Sequence, residues 1–167
     1  GRNGSAKGTM MPASTSNTLQ PLLPLLGRGD LTCELCDAGI ATALAVQWSF
    51  RSGEVNFLGS ARTVDATGGD VSAVRSAAQV TEPGEVLVVC ATGVEGAVLG
   101  DRFGAILQER GASGVVVVGN VRDVPKLQAM GLTVVAAGVV PARAVQLRAG
   151  AVDLALEVGS ASLNPGD

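Results

Sequence analysis

GEVLVVCATGVEGAVLGDRFGAILQERGASGVVVVGNVRDVPKLQAMGLTVVAA, residues 84–137, decides the fold. VLVV at 86–89 and VVVV at 115–118 are unbroken aliphatic runs rich in β-branched residues, the pattern of strands covered on both faces. Between them Leu99, Phe103, Ile106 and Leu107 recur at helical spacing and draw one apolar stripe. The stretch therefore reads as strand 85–91, helix from about 96 to 110, strand 114–119, helix about 124–130 and strand 132–137. This is an α/β chain with a β-α-β-α-β core, whose crossovers are expected to be right-handed.

Two short motifs stand where strands hand over to helices in this core. GAVLGD (96–101) ends in Asp101, and GNVRD (119–123) ends in the adjacent pair Arg122 and Asp123, one βα unit later. That spacing puts Asp101 and Arg122-Asp123 on neighbouring turns at one edge of a parallel sheet, where open α/β folds place ligand sites. Local sequence also admits a plainer reading. Arg122 and Asp123 could form a surface ion pair, and Asp123 could cap the helix that opens at Val124-Pro125.

Working outward, Asp70 to Val80 reads as a helix with Val71, Val74, Ala77 and Ala78 on one face, and Asn56 to Ala66 as a strand around Gly59. Asp30 is placed to cap a helix running through Leu31, Leu35, Ile40 and Leu44, preceded by an apolar segment, Leu19 to Leu26, broken by Pro21 and Pro24. Residues 1–16 hold no acid and no apolar period. They read as a leader or tag outside the fold, either vector-derived or a presequence remnant, which leaves 17–167 as a single domain. Two further short strands are expected near 153–158 and 160–163, followed by the turn sequence Asn164-Pro165-Gly166-Asp167, where another strand would be expected to continue.

Composition narrows the functional classes. The formal charge of −3 and the lack of any basic run argue against a direct nucleic-acid surface. No apolar stretch approaches the roughly 20 residues of a membrane helix, so a membrane partner is not expected. Three cysteines, Cys33, Cys36 and Cys90, make a disulfide framework improbable and fit a reducing compartment, the cytoplasm or, if the leader is a presequence, an organelle matrix. Cys33-Glu-Leu-Cys36 is formally a CxxC but has no second pair, so small buried helix residues are the expected reading. The chain has no histidine, which removes Ser-His-Asp and Cys-His catalysis and histidine-bound zinc or iron. Acid-base work falls to carboxylates, lysine, cysteine or water on a metal ion.

The pieces ELCDA (34–38), FLGSARTV (57–64), PGEVLVV (83–89), GAVLGD with Arg102-Phe103, GASGVVVVGNVRDVPKL (111–127) and NPGD (164–167) resemble the family of regulator of ribonuclease activity A and 4-hydroxy-4-methyl-2-oxoglutarate aldolase. The resemblance covers most of the chain, and the Asp101 to Arg122-Asp123 spacing matches the aldolase branch. It implies a layered, swivelling β/β/α domain assembled as homotrimers or hexamers with sites between subunits. It also implies a divalent cation, Mg2+ or Mn2+, held by Asp123 largely through waters, which suits a hard ion. Arg122 would contact the keto oxygen of a small 2-keto acid, and the turn Gly100, Asp101, Arg102 and Phe103 would hold its carboxylate through backbone amides. Asp101 would orient a water of the cation or exchange protons with substrate.

The implied activity is a metal-dependent lyase that cleaves 4-hydroxy-2-keto diacids to pyruvate through an enolate, and that also decarboxylates oxaloacetate. Lys126 is the one lysine of the resembling core; it could form an imine, although a solvated place on a helix is the expected one. The alternative is a non-catalytic regulator that binds and inhibits an RNA-degrading enzyme by protein contacts. Some members carry a demethylmenaquinone methyltransferase label, yet no GxGxxG loop follows a strand here. The segment after Pro141 lacks the family's usual glycine-glutamate turn, and substrate specificity is expected to come from residues near Gly93 to Glu95.

Overall fold

The aliphatic runs become the middle of one mixed sheet. A computed structural model describes residues 19–54 and 56–167, so the expectation for residues 1–16 lies outside the described residues. The strands are β1 (Phe50–Ser52), β2 (Ala61–Asp65), β3 (Val86–Cys90), β4 (Ala97–Leu99), β5 (Gly114–Val121), β6 (Val134–Val139) and β7 (Ala151–Val152). The helices are α1 (Leu31–Asp37), α2 (Val71–Val80), α3 (Asp101–Arg110) and α4 (Val124–Met130). Sheet order is β1-β6-β5-β3-β2-β7, with β4 paired to β5 beyond the end of β3.

Strands β2, β3, β5 and β6 are parallel, while β1 and β7 run antiparallel at the two edges. Each successive parallel strand is added on the same side of its predecessor. With crossovers of one hand, that order sends α2, α3 and α4 to a single face, where α2 packs on α3 and α3 on α4. The opposite face receives a small hairpin, β8 (Leu156–Val158) with β9 (Ala161–Leu163). The result is hairpin, sheet and helices in three layers, the β/β/α arrangement that the family resemblance implies.

The runs are unbroken because both faces of each central strand are covered. In β3, Leu87 and Val89 join the core beneath the helices, whereas Val86, Val88 and Cys90 join the cluster beneath the hairpin with Leu156 and Val158. Burying each such side chain is worth roughly 1.5–3 kcal/mol. Asp70, read from the sequence only as the start of this helix, caps α2: Oδ1 accepts from the Ser72 and Ala73 amides, and Oδ2 accepts from the Gly150 amide at 2.9 Å. The cap therefore also pins the chain entering β7.

Several expectations need correction. The helix beginning at Leu31 stops at Asp37, because Gly39 adopts φ +68° and turns the chain, leaving Ile40 exposed. Asp30 makes no side-chain cap bond there and lies 3.6 Å from Arg28 instead. Leu19 to Leu26 contains a 3-10 helix, Gln20–Leu25, as the two prolines favour. The strand expected from Asn56 begins only at Ala61. Just before it, at Gly59, a Cβ would stand 2.1 Å from the Gly84 carbonyl oxygen. Strand β1 was not foreseen, and residues 97–99, assigned to a helix from 96, are strand β4. Cys33 and Cys36 are exposed, not buried, because two-turn α1 buries only Leu31; Cys90 is buried.

Candidate functional site

The site begins with the register between β4 and β5. Leu99 pairs with Val121, and the Arg122 amide donates to the Leu99 carbonyl at 3.0 Å, so the two motif turns leave the sheet side by side. Asp101 opens α3, preceded by Gly100 in an extended conformation that offers no side chain to cap the helix. Arg122 and Asp123 follow β5 directly. The neighbouring placement read from their spacing is what the fold produces.

Asp123 occupies the cap position of α4 but caps it only through its backbone. Its carbonyl accepts from the Lys126 and Leu127 amides at 3.0 and 3.1 Å, while its side chain makes no cap bond. The residue sits in the left-handed region, φ 57°, a conformation Asp tolerates better than most side chains. The carboxylate instead turns back toward the other motif. Oδ2 lies 3.4 Å from Arg122 Nε, and it stands where a Cβ on Gly100 would approach to 2.7 Å. The capping role admitted by the sequence is thus not the one its side chain plays.

Asp101 has its own cation. Lys126 Nζ donates to Asp101 Oδ2 at 2.6 Å, reaching across from the first turn of α4. That bond, together with the charge of Lys126 and the Arg102 amide, holds the Asp101 carboxyl below the ordinary carboxylate range; the same bond holds the Lys126 ammonium above its usual value. Lys126 is exposed on a helix as expected, but it is engaged by Asp101 and not merely solvated.

A pocket of 70 Å³ is lined by Gly100, Asp101, Arg102, Phe103, Arg122 and Arg143, among others. Arg143 was not singled out from sequence. It sits there because residues 142–144 bind alongside β4: Ala97 donates to the Ala142 carbonyl at 2.8 Å and the Ala144 amide donates to Ala97 at 2.9 Å. No local pattern announces such a non-local pairing. Arg143 also lines a neighbouring cleft of 600 Å³ with Gly93 and Glu95, the loop from which specificity was expected. Asn120 Nδ2 holds that loop, donating to the Glu95 carbonyl at 2.9 Å and the Val94 carbonyl at 3.2 Å.

Chemically, the pocket gathers the guanidinium groups of Arg102, Arg122 and Arg143 against the one carboxylate of Asp101, with Lys126 bonded to Asp101 and Asp123 close to Arg122, a balance that favours an anionic ligand. Among the described residues no three of His, Cys, Asp or Glu gather as a ligand set. The donors on offer for a cation are the oxygens of Asp123 and Asp101, which suit a hard ion that keeps most of its waters and not zinc.

The family model "RraA-like: Aldolase/RraA" matches residues 32–167. A protein of Aromatoleum aromaticum, provisionally named a 4-hydroxy-4-methyl-2-oxoglutarate aldolase, is 34% identical over 138 residues, covering 81% of this chain and 86% of its own. The solved structure of the RNA-processing inhibitor RraA from Thermus thermophilus superposes with TM-score 0.72 at 28% identity, covering 81% of this chain and 82% of that one. A Geobacillus kaustophilus structure named as an S-adenosylmethionine:2-dimethylmenaquinone methyltransferase gives TM-score 0.73 at 35% identity, covering 81% and 85%. In the present chain the loop after β3, residues 91–96, leads into β4 and not into a helix, unlike a dinucleotide-binding turn. No helix among the described residues is long and apolar enough to cross a membrane.

Proposed function

The chain belongs to the RraA-like aldolase/RraA family, and from that premise we propose that it is a divalent-cation-dependent carbon-carbon lyase. Its substrates are 4-hydroxy-2-keto diacids of the 4-hydroxy-4-methyl-2-oxoglutarate type, cleaved to pyruvate, and it also decarboxylates oxaloacetate. The observation that carries this reading is that Asp101 and Arg122 line one cation-rich pocket at the strand ends, with the Asp123 carboxylate 3.4 Å from Arg122 Nε. Relatives named as aldolases support it.

In the retro-aldol step the C3–C4 bond breaks, its electron pair passes into the C2 carbonyl to give the enolate of pyruvate, and the C4 hydroxyl becomes a carbonyl. The Arg122 guanidinium faces the keto oxygen and stabilises the charge that develops on it. The Asp101 carboxylate accepts the proton of the C4 hydroxyl, and that proton is then available to C3 of the enolate. First-turn amides of α3, with no side chain from Gly100 over them, bind the carboxylate next to the keto group. Arg143, which also lines the pocket, takes the distal carboxylate of a diacid. Asp123 would hold a Mg2+ or Mn2+ ion, which would supply Lewis acidity for the charge developing in the enolate. Loss of CO2 from oxaloacetate leaves the same enolate and needs the same residues apart from proton removal.

Homotrimers or hexamers with sites between subunits fit the exposed Val139, Val145 and Leu147, the last two lining the cleft beside Arg143. A second reading, a regulator that inhibits an RNA-degrading enzyme through protein contacts, draws on the name of the Thermus thermophilus structure. Both are tested together. The chain is incubated with oxaloacetate and Mg2+ or Mn2+, pyruvate being coupled to lactate dehydrogenase, and a parallel pull-down searches for ribonuclease or helicase partners. Turnover lost on adding EDTA supports the lyase; stable ribonuclease capture without turnover supports the regulator.

A further inference from the structure

We infer that Lys126 is an internal counter-cation that keeps Asp101 out of the divalent-cation shell, leaving Asp123 as the one carboxylate available to the ion. This inference rests on the cation site proposed above.

Asp101 lines the pocket, Asp123 lies close to Arg122 of the same lining, and each carboxylate has a different cationic partner. Asp123 lies 3.4 Å from Arg122 Nε, a loose contact with a neighbour in sequence. Asp101 is held at 2.6 Å by Lys126 Nζ, a short charge-assisted hydrogen bond. Asp123 Oδ2 stands over Gly100, the residue before Asp101, so the two acids lie on adjoining turns where one hard cation could engage both. For a divalent ion, gaining the second carboxylate means displacing an ammonium that already neutralises it.

Stability does not explain the lysine. Its side chain is 67% exposed, against 22% for Asp101, and such solvent-facing pairs add little to stability. Its position does matter for the site. Lys126 is one turn beyond Asp123 on α4, and its amide donates to the Asp123 carbonyl at 3.0 Å, so the backbone that carries Asp123 also aims the ammonium at Asp101. The consequence is a cation that binds weakly and exchangeably at Asp123, with Asp101 kept as a proton acceptor and not consumed as a ligand.

Mn2+ binding to the full chain, followed by the loss of the free-ion electron paramagnetic resonance signal, tests this without reference to turnover. Lys126→Met should tighten Mn2+ binding about fivefold to tenfold, Lys126→Arg should retain the original affinity, and Lys126→Met with Asp101→Asn should abolish the gain. Near-ultraviolet circular dichroism verifies that these exposed-site variants keep the native packing. Unchanged or weaker binding in Lys126→Met, or a gain that survives Asp101→Asn, overturns the inference alone when Asp123→Ala still abolishes binding. If Asp123→Ala binds Mn2+ as the unmodified chain does, the cation site itself is wrong and the inference falls with it.

Discussion

The carboxylate of Asp123 stands over Gly100, so close that a Cβ added there would come within 2.7 Å of Oδ2. Gly100 has an extended backbone that any residue can adopt, so its lack of a side chain serves the carboxylate and not the chain conformation. Gly100→Ala should therefore displace Asp123 while leaving the fold intact. Expected is a fall of at least about tenfold in pyruvate formation with a stability change under about 1 kcal/mol, checked by coupled assay and thermal melting. A large drop in melting temperature would assign the glycine a folding role instead.

Arg143 lines the pocket together with the Asp101 turn. If it holds the distal carboxylate of a diacid, Arg143→Met should raise KM for 4-hydroxy-4-methyl-2-oxoglutarate about 10- to 100-fold, as loss of a charged hydrogen bond implies, with a smaller effect on kcat. Steady-state kinetics on that substrate separates the two. A change confined to kcat would place Arg143 in the chemistry and not in binding.

Asp70 links the start of α2 to the Gly150 amide and is buried. That amide first, then the Ser72 hydroxyl, hold its carboxyl below the ordinary range. A carboxyl depressed in the folded state stabilises the protein above its unfolded pKa, near 3.9, and that stability is lost as pH falls through the folded value. Asp70→Ala should cost about 1–2 kcal/mol at pH 7, and the difference from the unmodified chain should shrink below about pH 4. Denaturant titrations at pH 7 and pH 3 check the sign.

Cys33 and Cys36 are exposed on α1, whereas Cys90 is buried in β3 with its Sγ 3.6 Å from Thr92 Oγ1. Titration of the native chain with an aromatic disulfide reagent should therefore modify two thiols promptly, and the third only on unfolding. A single prompt thiol, or three, would contradict this placement.

Much of this was legible in the sequence because the responsible residues act locally. Val86 to Val89 and Val115 to Val118 could only be strands covered on both faces, and the apolar period of Val71, Val74, Ala77 and Ala78 announced helix α2. The neighbouring placement of Asp101 and Arg122-Asp123 followed from the length of one βα unit. What escaped depends on distant partners. Ala97 to Leu99 continues the apolar stripe of α3, so its pairing with Asn120 and Val121 is invisible locally. Phe50 to Ser52 becomes a strand only because Val134 to Ala136 lies beside it. Arg143 reaches the pocket through the bonds of its neighbours to Ala97, and the bond from Lys126 to Asp101 spans 25 residues.

The central claim is a pyruvate-forming lyase that depends on Asp123. The most direct measurement follows 4-hydroxy-4-methyl-2-oxoglutarate by proton nuclear magnetic resonance with Mg2+ present, for the unmodified chain and for Asp123→Ala. The account predicts two pyruvates per substrate consumed, lost on adding EDTA and lost in Asp123→Ala. Substrate left intact by the unmodified chain, or cleavage that persists in both EDTA and Asp123→Ala, would contradict it.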